Sequence, residues 1–359
     1  MTRVRAPYME WAKSRPRPAI DLAGSNLDPC RLDNLPGACA ALDLAGESPD
    51  GFAPLVEAIA AAHGVSPDRV ATGTGCSGAT FLACAALLEP GDEVLLESPF
   101  YDPMPAAARL LGAEVRTFER RFENGWDLDP DAIAAALTPR TRLVMVSNPH
   151  NPTGTLARPD SLRALGELAL RRGVPVLVDE VYRDTVFEDR PAPAATLSPA
   201  FVSVSSLTKA YGLASLRCGW TIATPEWTHR IRRARDLVDV WAPIPSDRLA
   251  VVAFRHLAAL SDRARAIVLA NQAAVASFLA GRTDLACVPP RSTLAFPRRT
   301  AVDDSGPFVE GLFAATGTAV APGRFFGAPA HFRIAFGGAP RAVAAGLSAI
   351  SGYLDSPAP

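Results

Sequence analysis

The sequence predicts an α/β fold, a mostly parallel sheet flanked by helices, with a smaller α+β domain beside it. Three observations carry this. Short apolar runs recur through the middle of the chain with helical patterns between them, as strands joined by crossover helices require. The runs are almost continuously apolar, which suits strands covered on both faces. The 359 residues, 48% of them apolar, exceed one ordinary domain and supply a large core.

Taken in order, residues 1–45 are rich in proline and lack periodicity, and are expected to form an irregular arm and part of the small domain. A helix is expected over Phe52–His63, with Leu55, Val56, Ile59 and Ala60 at helical spacing. Strands are expected at Val94–Leu96, Val115–Phe118, Leu143–Val146, Val174–Val178, Phe201–Val204 and Trp220–Ala223. Helical patterns fall at Ala79–Leu88, Pro103–Leu111, Asp131–Leu137 and Ser161–Arg171. From Glu226 to Ala280 the pattern is long and helical, with a connecting helix through Asn271–Leu279. Short strands near Leu294–Phe296 and Phe332–Ala335, then a helix over Pro340–Tyr353, complete the tail. The domain division on this reading is 46–265 for the large domain and 266–359 for the small one.

Composition narrows the function. The formal net charge is −1 and no basic block or basic-aromatic stretch occurs, so a small molecule is expected as partner rather than nucleic acid. Six cysteines form no C-x-x-C pair and no metal-ligand spacing, as in a reduced compartment. No signal-peptide core and no apolar run of membrane-spanning length is seen, so the expected location is cytoplasmic. Lysine occurs only twice, at Lys13 and Lys209, against a large excess of arginine. Arginine replaces lysine as a surface charge but not as an imine-forming amine.

Four segments carry chemistry. Residues 73–78, Gly-Thr-Gly-Cys-Ser-Gly, fit G-x-G-x-x-G, with Asp92, Glu93 and Glu97 where a ribose-binding acid would follow. A dinucleotide site, another phosphate site and a plain structural turn stay open at this point. The first two share a helix N-terminus beginning near Ser77, whose free N–H groups favour an anion. Residues 147–154, Ser-Asn-Pro-His-Asn-Pro-Thr-Gly, place two Asn-Pro turns at a strand end, where α/β proteins bind ligands. In Val-Leu-Val-Asp-Glu-Val-Tyr at 176–182, Asp179 ends a buried strand. It either caps a helix or pairs with a buried cation such as a protonated pyridine. In 205–220, Lys209 follows a strand among small and apolar neighbours, a setting that lowers an amine's pKa and favours its nucleophilicity. Arg217, eight residues on, offers a fork suited to phosphate.

Together and in this order, the four segments resemble the class I/II aminotransferases of the fold-type I pyridoxal-phosphate enzymes, over a match running from about Ile20 to the C-terminus. The resemblance implies a seven-stranded-type sheet and pyridoxal 5'-phosphate bound to Lys209 as a Schiff base. It implies that Gly75, Cys76 and Ser77 bind the cofactor phosphate with Ser206 and Arg217. Tyr101, rather than Phe100, would stack on the pyridine ring. Asn151 and Tyr182 would hydrogen-bond the phenolic oxygen, and Asp179 would keep the ring nitrogen protonated. In His-Phe-Arg-Ile-Ala-Phe-Gly at 331–337, Arg333 would grip a substrate carboxylate. Gly24 resembles the glycine that lines the substrate pocket. The family's tyrosine before Gly51 is missing from Ala-Gly-Glu-Ser-Pro-Asp-Gly, which leaves open how a second subunit contributes.

The activity so implied is ping-pong amino-group exchange between an L-amino acid and a 2-oxo acid, in a homodimer whose apolar Trp241–Ile244 segment crosses to the partner. A lyase or cyclising enzyme would share every residue named. A nicotinamide oxidoreductase would leave Asn151, Asp179, Lys209 and Arg217 unexplained, and a regulatory protein would need a DNA-binding module. Tyr8 and Trp11 either fold over the pocket or staple the arm to the core.

Overall fold

The computed structural model describes residues 4–356; the extreme ends of the expected arm and small domain, 1–3 and 357–359, lie outside the described residues. The chain opens with helix α1 (Pro7–Ser14), strand β1 (Ile20–Asp21), α2 (Ala38–Ala41) and α3 (Ala53–His63). There follow β2 (Val70–Thr74), α4 (Gly75–Leu87), β3 (Glu93–Ser98), α5 (Pro103–Leu110), β4 (Glu114–Glu119), α6 (Pro130–Ala136) and β5 (Thr141–Ser147). Next come α7 (Pro159–Arg172), β6 (Val176–Asp179), α8 (Ala194–Leu197), β7 (Phe201–Ser206), α9 (Thr208–Tyr211) and β8 (Cys218–Ile222). Helices α10 (Pro225–Arg235), α11 (Ile244–Arg255) and α12 (Leu257–Ala280) lead to β9 (Leu285–Ala286), β10 (Leu294–Ala295) and β11 (Arg298–Arg299). The chain closes with α13 (Gly306–Thr316), β12 (Thr318–Ala319), β13 (Ala321–Pro322), β14 (Phe332–Ala335) and α14 (Pro340–Asp355).

Proline starts many of these helices. Pro7, Pro54, Pro103, Pro130, Pro159 and Pro225 stand in first turns, where the missing N–H costs nothing. Asp129 caps α6 by accepting from the Asp131 and Ala132 amides.

Seven strands form one sheet in the order β2-β8-β7-β6-β5-β3-β4, as the family resemblance implies. All pairs are parallel except the two made by β8. Residues 207–217 are too short for a crossover, so β8 returns antiparallel to β7. Side chains alternate between two cores. Val94 and Leu96 pack with Leu82, Met104 and Met145 on one face, while Leu95 joins Val144, Leu165 and Phe201 on the other. Leu55, Ile59, Trp220 and Val251 fill a third cluster at the β2–β8 edge. Leu22, Val275, Phe308, Ile334 and Leu347 build a separate one from the tail and the N-terminal stretch.

Several expectations need correction. The arm is not irregular throughout, because Pro7–Ser14 is helical and packs Tyr8 into the interior. Strand β2 (Val-Ala-Thr-Gly-Thr) reads as a turn in the sequence, yet pairing with β8 makes it an edge strand. Helix α13 is disguised by Gly306, Pro307 and Gly311. The 226–280 stretch is three helices, interrupted before Ile244, where Val240 has a positive φ and Pro243 precedes α11. The helix expected from near Ser77 begins at Gly75. The Ser98–Pro99 and Asn148–Pro149 bonds are cis.

Candidate active site

Strand ends assemble the site. Tyr101 follows β3, Asn151 follows β5, Asp179 ends β6, and Ser206 and Lys209 lie at and just after the end of β7, all at the carboxyl edge of the sheet. With Cys76, Ser77, Tyr182 and Arg217 they line one cavity of about 290 Å3.

The end of the cavity at the start of α4 is built by close packing. Gly75, which starts α4, has φ +69°, and its amide donates to the Arg217 carbonyl at 2.6 Å. A Cβ on Gly75 would lie 2.4 Å from Arg217 Nη2, so a side chain here would push the guanidinium off this helix N-terminus, and φ +69° favours glycine in any case. Gly219 is held to the same rule, since its Cβ would meet the Gly75 carbonyl carbon at 2.2 Å. Arg217 itself is left-handed, φ 49°, a conformation that non-glycine residues adopt at a cost and that clusters at functional sites. Its Nη2 donates to the Thr74 carbonyl at 3.4 Å. Ser206 Oγ accepts from the Thr208 amide at 3.3 Å.

Asp179 is buried at 8% exposure, and burial raises its pKa above the usual carboxylate value. Its Oδ1 accepts from the Val181 amide at 3.0 Å and from the Cys76 thiol at 3.4 Å. Lys209 Nζ donates to Asn26 Oδ1 at 2.7 Å and Ser25 Oγ at 3.1 Å. Burial first, then the charge of Arg333, brings its pKa down to about 8. Burial also raises the Tyr182 and Tyr101 hydroxyls, which keeps both phenols protonated.

Arg333 is fully buried in β14. Nη1 donates to Asn151 Oδ1 at 2.9 Å, and Nη2 donates to Tyr8 Oη at 2.5 Å and the Ala23 carbonyl at 2.8 Å. The Tyr8 and Phe326 rings lie 5.1 and 4.8 Å from the guanidinium carbon. Nε has no partner, and among the described residues no carboxylate reaches ion-pair distance. Buried charges are normally paired, so a buried guanidinium with no carboxylate beside it is unusual.

Not every expected residue faces the cavity. Gly75 and Arg333 stand behind Arg217 and Asn151, and Gly24 lies in the bend held by Asp21, whose Oδ1 accepts from its amide at 2.9 Å. The neighbours of Gly24 make the contacts instead: the Ala23 carbonyl holds Arg333, while Ser25 and Asn26 hold Lys209. The polar pair in Asp-Leu-Ala-Gly-Ser-Asn was the only local signal for them. Tyr8 both staples the arm and shapes the Arg333 site, and Met9 lines the cavity, which no spacing in the arm announces.

An α/β enzyme with helices on both faces of its sheet, and an amine, a buried carboxylate and an arginine at a helix N-terminus in one cavity, has the architecture of a pyridoxal-phosphate enzyme. The family model for aminotransferase class I and II matches residues 46–350, and the chain belongs to that family. It is 35% identical to capreomycidine synthase of Streptomyces vinaceus over 307 residues, covering 84% of this chain and 79% of that one. A pyridoxal-phosphate-dependent aminotransferase of Streptococcus suis superposes with a TM-score of 0.92 at 25% identity, covering both chains completely. The pyridoxal-phosphate-dependent cyclase OrfR superposes with a TM-score of 0.88 at 28% identity, covering 99% of this chain and 98% of that one. Pyridoxal phosphate is the cofactor of the family, and the donors fit it: a side-chain-free helix start under Arg217 for phosphate, a buried carboxylate for a ring nitrogen, and an amine of lowered pKa for an aldehyde. No helix among the described residues is long and apolar enough to cross a membrane.

Proposed function

We propose that this enzyme exchanges an amino group between an L-amino acid and a 2-oxo acid by a ping-pong mechanism. The observation that carries the substrate class is Arg333, a buried guanidinium with an unpartnered Nε and, among the described residues, no carboxylate at ion-pair distance. Both the amino donor and the keto acceptor bring a carboxylate to it. When bound, pyridoxal phosphate supplies an aldehyde carbon and an electron-withdrawing ring.

The protein's residues do the rest. Lys209 Nζ, with its pKa near 8, is the amine that would hold the aldehyde; once released, its free base would take the proton from the substrate Cα and deliver it to the cofactor carbon that had carried the aldehyde. Asp179 keeps a ring nitrogen protonated. The Tyr182 hydroxyl and the Asn151 amide act at the phenolic oxygen. Ser77, Ser206 and Arg217, with the Gly75 and Cys76 end of α4, bind phosphate. Tyr101 covers the ring.

Cyclisation of an amino acid is a second reading, favoured by the likeness to capreomycidine synthase and OrfR. A screen of amino donors against 2-oxoglutarate and pyruvate decides between them. Stoichiometric appearance of a new amino acid and a new keto acid supports exchange; a ring-closed product with no keto acid formed would establish the second reading. The enzyme works in this proposal as a cytoplasmic homodimer.

A further inference from the structure

Beneath the cavity lies a buried ion pair that the chemistry above does not use. Glu97 in β3 and Arg120, just past β4, are both fully enclosed, with Arg120 Nη1 donating to Glu97 Oε2 at 2.9 Å. The other carboxylate oxygen, Oε1, accepts from the Ser147 amide at 2.7 Å and the Ser147 hydroxyl at 2.5 Å. Ser147 ends β5, and its Oγ in turn accepts the backbone N–H of Asn151 at 3.1 Å. Arg120 Nη1 also donates to the Ser147 carbonyl at 3.2 Å, so this residue is clamped from both sides.

The clamp has a consequence for the cavity. An arginine donates only, so the Arg333 Nη1 bond at 2.9 Å identifies the Asn151 atom it meets as Oδ1 and leaves Nδ2 as the donor still unspent. Asn151 is therefore fixed at its backbone by Ser147 and at its amide by Arg333. His150, between them in the chain, contacts the Pro99 carbonyl through Nε2 at 2.8 Å, and so ties this loop to the one that carries Tyr101.

We propose that Glu97 is a positioning residue: held by Arg120, it orients the Ser147 hydroxyl, which sets the Asn151 backbone and aims its Nδ2 donor at the cofactor's phenolic oxygen. A buried carboxylate is costly, and a fold needing only packing here would be served as well by apolar residues. Burial lifts the Glu97 pKa to about 7, a burden that the three donors on its two oxygens only partly relieve. The inference rests on the family's cofactor but not on which reaction the enzyme performs.

The test uses the full chain, stripped of cofactor and titrated with pyridoxal phosphate, with the pH midpoint of the visible band and the melting temperature read in parallel. Ser147→Ala removes one hydroxyl and leaves the Glu97–Arg120 pair intact. It is expected to weaken cofactor binding about threefold or more and to raise the band midpoint by about half a pH unit or more. In an Asn151→Ala background the same change should add nothing, because the two act in series. Glu97→Gln should move the band in the same direction. A Ser147→Ala band identical to the unaltered protein's, or a shift that persists in the Asn151→Ala background, would overturn the proposal. So would a Glu97→Gln protein that only melts earlier. Absence of any band in the unaltered protein would instead overturn the cofactor assignment beneath it, and this proposal with it.

Discussion

The Arg333 guanidinium meets the Asn151 carboxamide at 2.9 Å, joining strand β14 to the loop that follows β5. In the proposed function this bond would link carboxylate capture at Arg333 mechanically to the cofactor contact at Asn151.

Arg333→Gln removes the cation while keeping a polar side chain beside Tyr8 and Asn151. Losing one partner of a buried charge pair costs roughly 3–5 kcal/mol, so kcat/KM for an amino acid should fall about 10²–10³-fold or more. The same variant should react almost normally with an amine that has no carboxylate. Steady-state kinetics on the matched pair checks this, and an equal loss on both substrates would remove Arg333 from carboxylate binding.

Lys209 leads to a covalent and a thermodynamic prediction. Borohydride should fix pyridoxal phosphate to Lys209 and not to Lys13, as peptide mapping reports. In the cofactor-free protein its pKa is held near 8 against an ordinary value of 10.5, so the folded state gives up a proton that the unfolded chain retains. The resulting destabilisation is fully present below pH 8 and fades as pH rises toward 10.5. Lys209→Met should then raise the melting temperature at pH 7, with the gain shrinking at pH 9 and 10. A pH-independent difference contradicts the lowered pKa.

Asp179→Asn separates a helix cap from a charge partner. Asparagine caps about as well as aspartate, so a capping role predicts nearly unchanged chemistry. As the partner of a ring nitrogen, the carboxylate's loss should slow single-turnover reaction about 10²–10³-fold while the cofactor still binds. A loaded variant reacting within about threefold of the unaltered enzyme returns Asp179 to a structural role.

Gly75→Ala would force a Cβ to within 2.4 Å of Arg217 Nη2 at a backbone φ of +69°. Displacing the guanidinium should weaken pyridoxal phosphate binding about tenfold or more, a left-handed alanine alone costing about 1–2 kcal/mol. Titration of the cofactor-free protein measures it, and unaltered affinity would show that Arg217 does not hold the phosphate.

Exposed apolar residues gather beside the site. Leu44 and Leu237 are 88% and 89% exposed, with Val238, Val240 and Trp241 nearby, and Gly46 packs against Ile244. Asp239 Oδ2 accepts from Thr74 Oγ1 at 3.3 Å, which brings this surface up to the start of α4. A surface of this kind suits a second copy of the chain. Light scattering should give a dimer, and Trp241→Glu should shift it toward monomer with loss of cofactor affinity. A fully active monomer refutes the homodimer.

Much of the candidate site was legible because its proposed chemistry sits on short segments whose residues are forced locally. A phosphate cradle needs glycine at a helix start, a strand end needs a turn, and only one interior lysine competes for the amine's role, so Gly75, Asn151, Asp179, Lys209 and Arg217 stand out in the chain itself. The parallel strands were legible for the same reason, since burial on both faces leaves nearly unbroken apolar runs. What the chain could not show depends on distant segments meeting. Strand β2 has too few apolar residues to declare itself and becomes a strand only through pairing with β8. Helix α1 is legible only as a proline-rich arm until Tyr8 finds Arg333, 325 residues away. Lys209 reaches Ser25 and Asn26 across more than 180 residues, and Cys76 turns its thiol to Asp179 across 103. Local sequence decides which groups can do chemistry; only the closed fold, by setting distance and excluding water, decides which of them touch.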